Sequence, residues 1–132
     1  MIRKFFKWLV EPPKKTESSF DIIRWWEIRR IPYNLIVGPL GIISLIMFFV
    51  FVELSRKLEP GEDAVEPFAI ILAPIAINIL YTCGWMAELF LRIVWKEKST
   101  YIGPILFKLG ISLSVCAILF PSTMWFVIWI FS

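Results

Sequence analysis

Apolar residues gather into three long blocks separated by charged segments, a spacing that predicts membrane-spanning helices. The first block runs from about Asn34 to Val52, the second from about Phe68 to Ala87, and the third from Ile102 to Phe131. A helix rising about 1.5 Å per residue needs about 20 residues to cross a hydrocarbon core of about 30 Å. The first two blocks fit one crossing each. The third is too long for one upright span and too short for two. Its expected division makes Leu109 to Phe131 the span, kinked at Pro121, with Ile102 to Phe107 at the inner boundary. An alternative division stops the span at Phe120 and lets Ser122 cap a short outer helix carrying Trp125 and Trp129.

Ahead of these blocks, residues 1–33 read as a basic, aromatic-rich segment at the cytoplasmic surface, and 34–132 as the membrane domain. At helical spacing, Arg3, Lys4 and Lys7 fall on one side of the first ten residues and Ile2, Phe5, Phe6, Trp8 and Leu9 on the other. A basic face opposite an aromatic one suits a helix lying among lipid headgroups. Pro12 and Pro13 stop it, and the following residues read as a linker. Ser18 and Asp21 form a capping-box pattern for a second helix, expected to end near Ile31 because Pro32 follows. The segment between the first two spans is short and acidic, with a Pro60–Gly61 turn.

Composition sharpens this picture. Apolar residues make up 58% of the 132 and charged residues 19%, and mean hydropathy is +0.74, unlike a soluble domain or a disordered chain. The sequence has no histidine, which excludes His-ligated haem and zinc sites and Ser-His-Asp chemistry. Of 14 Lys and Arg residues, eight precede Asn34: Arg3, Lys4, Lys7, Lys14, Lys15, Arg24, Arg29 and Arg30. Arg92, Lys96 and Lys98 follow the second span, whereas only Arg56 and Lys57 follow the first. The excess of positive charge places the amino terminus inside and, with three spans, the carboxyl terminus outside. The basic segment lacks a folded nucleic-acid module, so its expected partner is anionic lipid and not nucleic acid.

Ionisable residues within or beside a span are the first candidates for chemistry. Glu88 and Lys108 fall at similar depth near the inner edge of antiparallel spans, where an interhelical ion pair is expected. Glu88 also stands i, i+4 from Arg92. The competing reading makes Glu88 a proton or cation site, with Asn78, Thr82 and Ser112 as polar neighbours. Contact surfaces are expected on the Trp25, Trp26, Arg29 and Arg30 face and on the small-residue stripe Gly110, Ser114 and Ala117. No phosphate loop, nucleophile elbow, metal-spaced carboxylate set or lipidation motif occurs, so neither catalysis nor a cofactor is expected.

The stretch Trp26-Glu27-Ile28-Arg29-Arg30-Ile31-Pro32-Tyr33-Asn34 resembles a W-E-x-R-R-x-x-Y-N pattern that precedes the first span in small uncharacterised bacterial membrane proteins. The resemblance covers about 30 residues and implies a bacterial inner-membrane location without an activity. The whole reading is an all-α integral membrane protein of three spans, preceded by one or two amphipathic interfacial helices. Its expected role is that of a non-enzymatic accessory subunit acting by helix–helix association, as a homo-oligomer or within a larger membrane complex. The alternatives are a small oligomeric channel or transporter using Glu88, or a membrane-perturbing effector.

Overall fold

The computed structural model describes residues 2–12, 18–55, 62, 67–95 and 102–132. Four helices account for all regular structure among them: α1 (Ile2–Leu9), α2 (Ser19–Ser55), α3 (Pro67–Trp95) and α4 (Ile102–Ile130). The linker at 13–17 and the Pro60–Gly61 turn lie outside the described residues. The last three helices are each long and apolar enough to cross a membrane. Their surfaces carry many exposed large apolar side chains, among them Ile42, Ile46, Ile71, Leu80, Leu113 and Phe120. Water penalises patches of that extent, whereas lipid tails solvate them.

α2 begins as the capping-box pattern predicts. Ser18 N and Oγ donate to Asp21 Oδ2 at 3.2 and 3.1 Å, and Asp21 N donates back to Ser18 Oγ at 3.4 Å. The helix does not end at Ile31. It continues through Pro32 and Pro39 for 37 residues, about 55 Å, and merges the expected surface helix with the first span. Proline removes one helical N–H, but ending a helix where water is scarce would leave several polar backbone groups unpaired. Packing on both sides of Pro32 also holds the rod together: Trp25, Trp26, Arg29, Pro32, Tyr33 and Val37 are all buried. α4 is likewise continuous through Pro121, so the separate outer helix capped by Ser122 does not form.

α2 and α4 run parallel. Tyr33 Oη lies 2.7 Å from Ser114 Oγ, Ser44 Oγ donates to Ile118 O at 2.6 Å, and the Phe51 ring stacks on Trp129 at 5.8 Å. Ser122, expected as a cap, instead lies 2.9 Å from Ser44 Oγ and donates to Leu119 O at 3.0 Å within its own helix. Ser44 thus supplies a hydroxyl to the α4 backbone next to the proline. α3 runs antiparallel to both and is held through its second half, from Asn78 to Glu88. Its first half, Pro67–Ala76, is exposed along its whole length.

Ser44 is the main polar joint of the half of the bundle around the carboxyl-terminal part of α4, and interhelical hydrogen bonds in membrane proteins average about 0.6 kcal/mol with a maximum near 1.7. Ser44→Ala is expected to lower unfolding stability in detergent by about 1 kcal/mol. Ser112→Ala, at an exposed position of α4, should leave it unchanged; thermal melts of the two variants in one detergent check the contrast.

Candidate functional site

The polar residues of the three long helices converge where α2, α3 and α4 meet. Glu88, on α3, is only 2% exposed. Trp26 of α2 donates its indole Nε1 to Glu88 Oε2 at 2.6 Å, and Arg92, one turn along α3, donates to Oε1 from NH2 at 2.7 Å and from Nε at 3.2 Å. Gly103, in the first turn of α4, closes the remaining side. A Cβ built on Gly103 would stand 2.6 Å from Glu88 Oε2, inside van der Waals contact. One carboxylate therefore touches all three helices. Its position beside the first turn of α4 also puts negative charge at the positive end of that helix.

The i, i+4 pairing with Arg92 follows the sequence expectation, whereas the pairing with Lys108 does not form. Lys108 is exposed on α4, and Gly103 and Phe107 occupy the side of that helix turned to the bundle. Depth along the helices placed Glu88 and Lys108 at one level, but the rotation of α4 points them apart. Glycine also shapes the Trp26 contact. A Cβ on Gly84 would meet Trp26 Cη2 at 2.9 Å, so the indole reaches Glu88 by lying across a helix surface without a side chain.

Aromatic rings surround this joint. Trp26 packs edge-on against Tyr81 at 5.3 Å and Phe107 at 5.7 Å, Trp25 meets Phe107 at 5.9 Å, and Tyr33 meets Tyr81 at 4.7 Å. Such pairs add about 0.5–1.5 kcal/mol each beyond burial. The Tyr81 hydroxyl donates to Trp26 O at 2.5 Å, a backbone carbonyl six residues before Pro32. Further along, the Asn34 and Asn78 amides exchange hydrogen bonds at 3.1 Å, and Arg30 NH2 donates to Thr82 Oγ1 at 2.9 Å. Residues 26, 30 and 34 of α2 thus face 88, 82 and 78 of α3, a polar seam with one rung per turn of α2.

Arg29 and Trp25 have a different task. Arg29 is 6% exposed, and its guanidinium donates to Leu9 O and Trp8 O at 2.8 Å, to Trp25 O at 3.1 Å and to Glu11 O at 3.4 Å. It lies between the rings of Trp25 and Trp8, 4.0 and 4.7 Å from their centroids. Trp25 Nε1 adds a bond to Glu11 O at 3.0 Å. Carbonyls at a helix end lack intrahelical donors, and here a side chain from α2 supplies them. With Leu9 buried beneath, α1 is pinned by its last turn to the first half of α2.

Trp25, Trp26 and Arg29 are consequently interior residues, which corrects the expectation of a contact surface there: they are used up in packing within the chain. Arg30 is half-buried and pairs with Glu27 at 2.8 Å. The expected small-residue stripe divides: Ser114 is half-buried and bonds Tyr33, whereas Gly110 and Ala117 are exposed, and a Cβ built on Gly110 would meet nothing within 4 Å. The sequence reading missed Gly84, Gly103, Asn34 and Tyr81 as members of the joint. Among the described residues no group of three or more Cys, Asp or Glu side chains is arranged to hold a metal ion.

If Gly103 is the space that admits Glu88, Gly103→Ala is expected to lower stability by about 1–3 kcal/mol through overpacking. Lys108→Gln should change it by less than about 0.5 kcal/mol. Unfolding of both variants in the same detergent checks the pair, and equal effects would contradict the assignment. No family model matches the chain, and no curated protein or solved structure matches it significantly.

Proposed function

We propose that the chain is a small three-span inner-membrane protein that works without catalysis, as an accessory subunit associating with other membrane helices. The observation that carries this reading is the exposure of the first half of α3. From Pro67 to Ala76 every side chain is exposed, although the second half of the same helix is locked into the bundle. Ala69 and Ala73 on that half allow close approach of another helix, and Gly110 and Ala117 offer a second small-residue surface on α4. The occupant proposed for these surfaces is a second copy of the chain. Three helices bury little interior between them, and self-association covers both surfaces at once.

In this reading α1 lies in the headgroup layer, with Arg3, Lys4 and Lys7 toward anionic lipid and Ile2, Phe5, Phe6 and Trp8 toward the acyl boundary. The amino terminus is cytoplasmic and the carboxyl terminus outside, as the distribution of Lys and Arg implies. The W-E-x-R-R-x-x-Y-N resemblance supports a bacterial origin. Against a transport role for Glu88 stands its enclosure: Trp26, Arg92 and Gly103 cover the carboxylate, leaving no face for an ion to enter. Its role here is that of a structural joint.

Native mass spectrometry from mild detergent is expected to give a defined homo-oligomer, and substitution of Ala69 and Ala73 by Leu should shift it toward monomer. A monomer from the parent chain at every detergent ratio would contradict the proposal. Recovery of a stoichiometric different protein would replace the second copy with that partner.

A further inference from the structure

Arg29 and Arg30 are adjacent in sequence but unequally used. The guanidinium of Arg29 is spent on α1, whereas that of Arg30 is engaged along one part only. Its NH2 donates to Glu27 Oε1 and Thr82 Oγ1, NH1 donates to none of the described residues, and Nε is buried without a partner. Arg30 Nε and Trp85 Nε1 are the buried side-chain polar atoms that lack a hydrogen bond among the described residues. A cation is thus held over the Tyr81 ring, 5.0 Å from its centroid, with NH1 left over as a donor, since the buried Nε is out of a ligand's reach.

That guanidinium stands at one end of a groove of about 430 Å³ between α2 and α3, lined by Arg30, Thr82, Asn78, Ile79, Ile75 and Pro74. The groove is open along its length and not an enclosed cavity. The lining is graded. Arg30, Asn78 and Thr82 make the end nearer the basic residues of the chain, and Pro74, Ile75 and Ile79 continue it along α3 toward the exposed half of that helix. Arg30 sits one turn before the charge-free stretch that opens at Asn34, at the basic end of the apolar helices. A free anion would meet the cation but leave the apolar wall uncovered. A hydrocarbon chain alone would leave the Arg30 donor unmet, whereas Asn78 and Thr82 already donate within the protein.

We propose that this groove holds one glycerophospholipid, its phosphate accepting from Arg30 and one acyl chain lying against Pro74, Ile75 and Ile79. Planar guanidinium donors suit a phosphodiester, and the charge-assisted contact is stronger than a neutral one. The inference rests on the membrane-spanning reading and adds to it a specific bound lipid. It is separate from the contact of α1 with the bilayer, because Arg30 and α3, not the amino-terminal lysines, provide the site.

The test compares retention of phosphatidylglycerol with that of diacylglycerol of the same chains, added to the delipidated protein and read by native mass spectrometry at rising collision energy. The parent chain is expected to keep one phospholipid per copy and to release diacylglycerol. Arg30→Gln should weaken phospholipid retention about tenfold. Ile75→Trp, which fills the groove from a position 52% exposed and outside the packed core, should abolish it without lowering the melting temperature. Equal retention of the two lipids, or unchanged retention in both variants, overturns the site while leaving a detergent-requiring membrane protein intact. A chain that stays monodisperse without detergent would instead contradict the membrane reading itself.

Discussion

A buried carboxylate must be answered by donors, and Glu88 meets that requirement with one residue from α2 and one from its own helix, α3, in a space that α4 leaves open. Removing a carboxylate from water costs several kcal/mol unless donors replace the lost hydration. The Trp26 indole answers from α2, Arg92 from α3, and Gly103 of α4 withdraws its side chain to make room. The rotation of each helix follows. Trp26 facing α3 brings Arg30 and Asn34 opposite Thr82 and Asn78, and Gly103 facing α3 brings Phe107 into the aromatic cluster and leaves Lys108 outside. Stability in the half around the carboxyl-terminal part of α4 has a different source, with Ser44 and the Phe51, Phe126 and Trp129 rings joining α2 to α4. α3 takes no part there, and that half of the helix remains available.

The same economy of donors explains the basic stretch of α2. Arg29 meets four backbone carbonyls and two indoles, which fixes α1 at its end. Arg30, displaced by about 100° around the helix, faces α3 and the groove beside it. Two residues of identical chemistry are separated in role by a single step of helical rotation.

Much of the architecture was legible in the amino-acid sequence, because a charge-free run of about 20 residues admits few structures in a membrane. The three long helices, the Ser18–Asp21 cap and the Glu88–Arg92 pair are all local patterns, and each is found. Pro32 misled for the same local reason: it disfavours helix in the residue before it, but packing on either side overrides that preference. The site itself was less legible. Trp26 and Glu88 are 62 residues apart, and Tyr33 and Ser114 are 81 apart, so their meeting depends on how three rods rotate against one another. Depth follows from counting residues, but azimuth does not, and depth alone pairs Glu88 with Lys108. Gly84 and Gly103 carry no signal of their own, since only a neighbour's approach reveals why a side chain is missing.

The claim that Glu88 and Trp26 hold the helices in register is tested most directly by a double-mutant cycle of Trp26→Phe and Glu88→Gln. Each variant keeps the approximate shape of its residue, and unfolding is followed in one detergent. The account predicts a coupling energy of about 1–2 kcal/mol, the two losses failing to add because they break one interaction. Losses that add within about 0.3–0.5 kcal/mol would contradict it, and the joint would then have to be sought in the aromatic cluster alone.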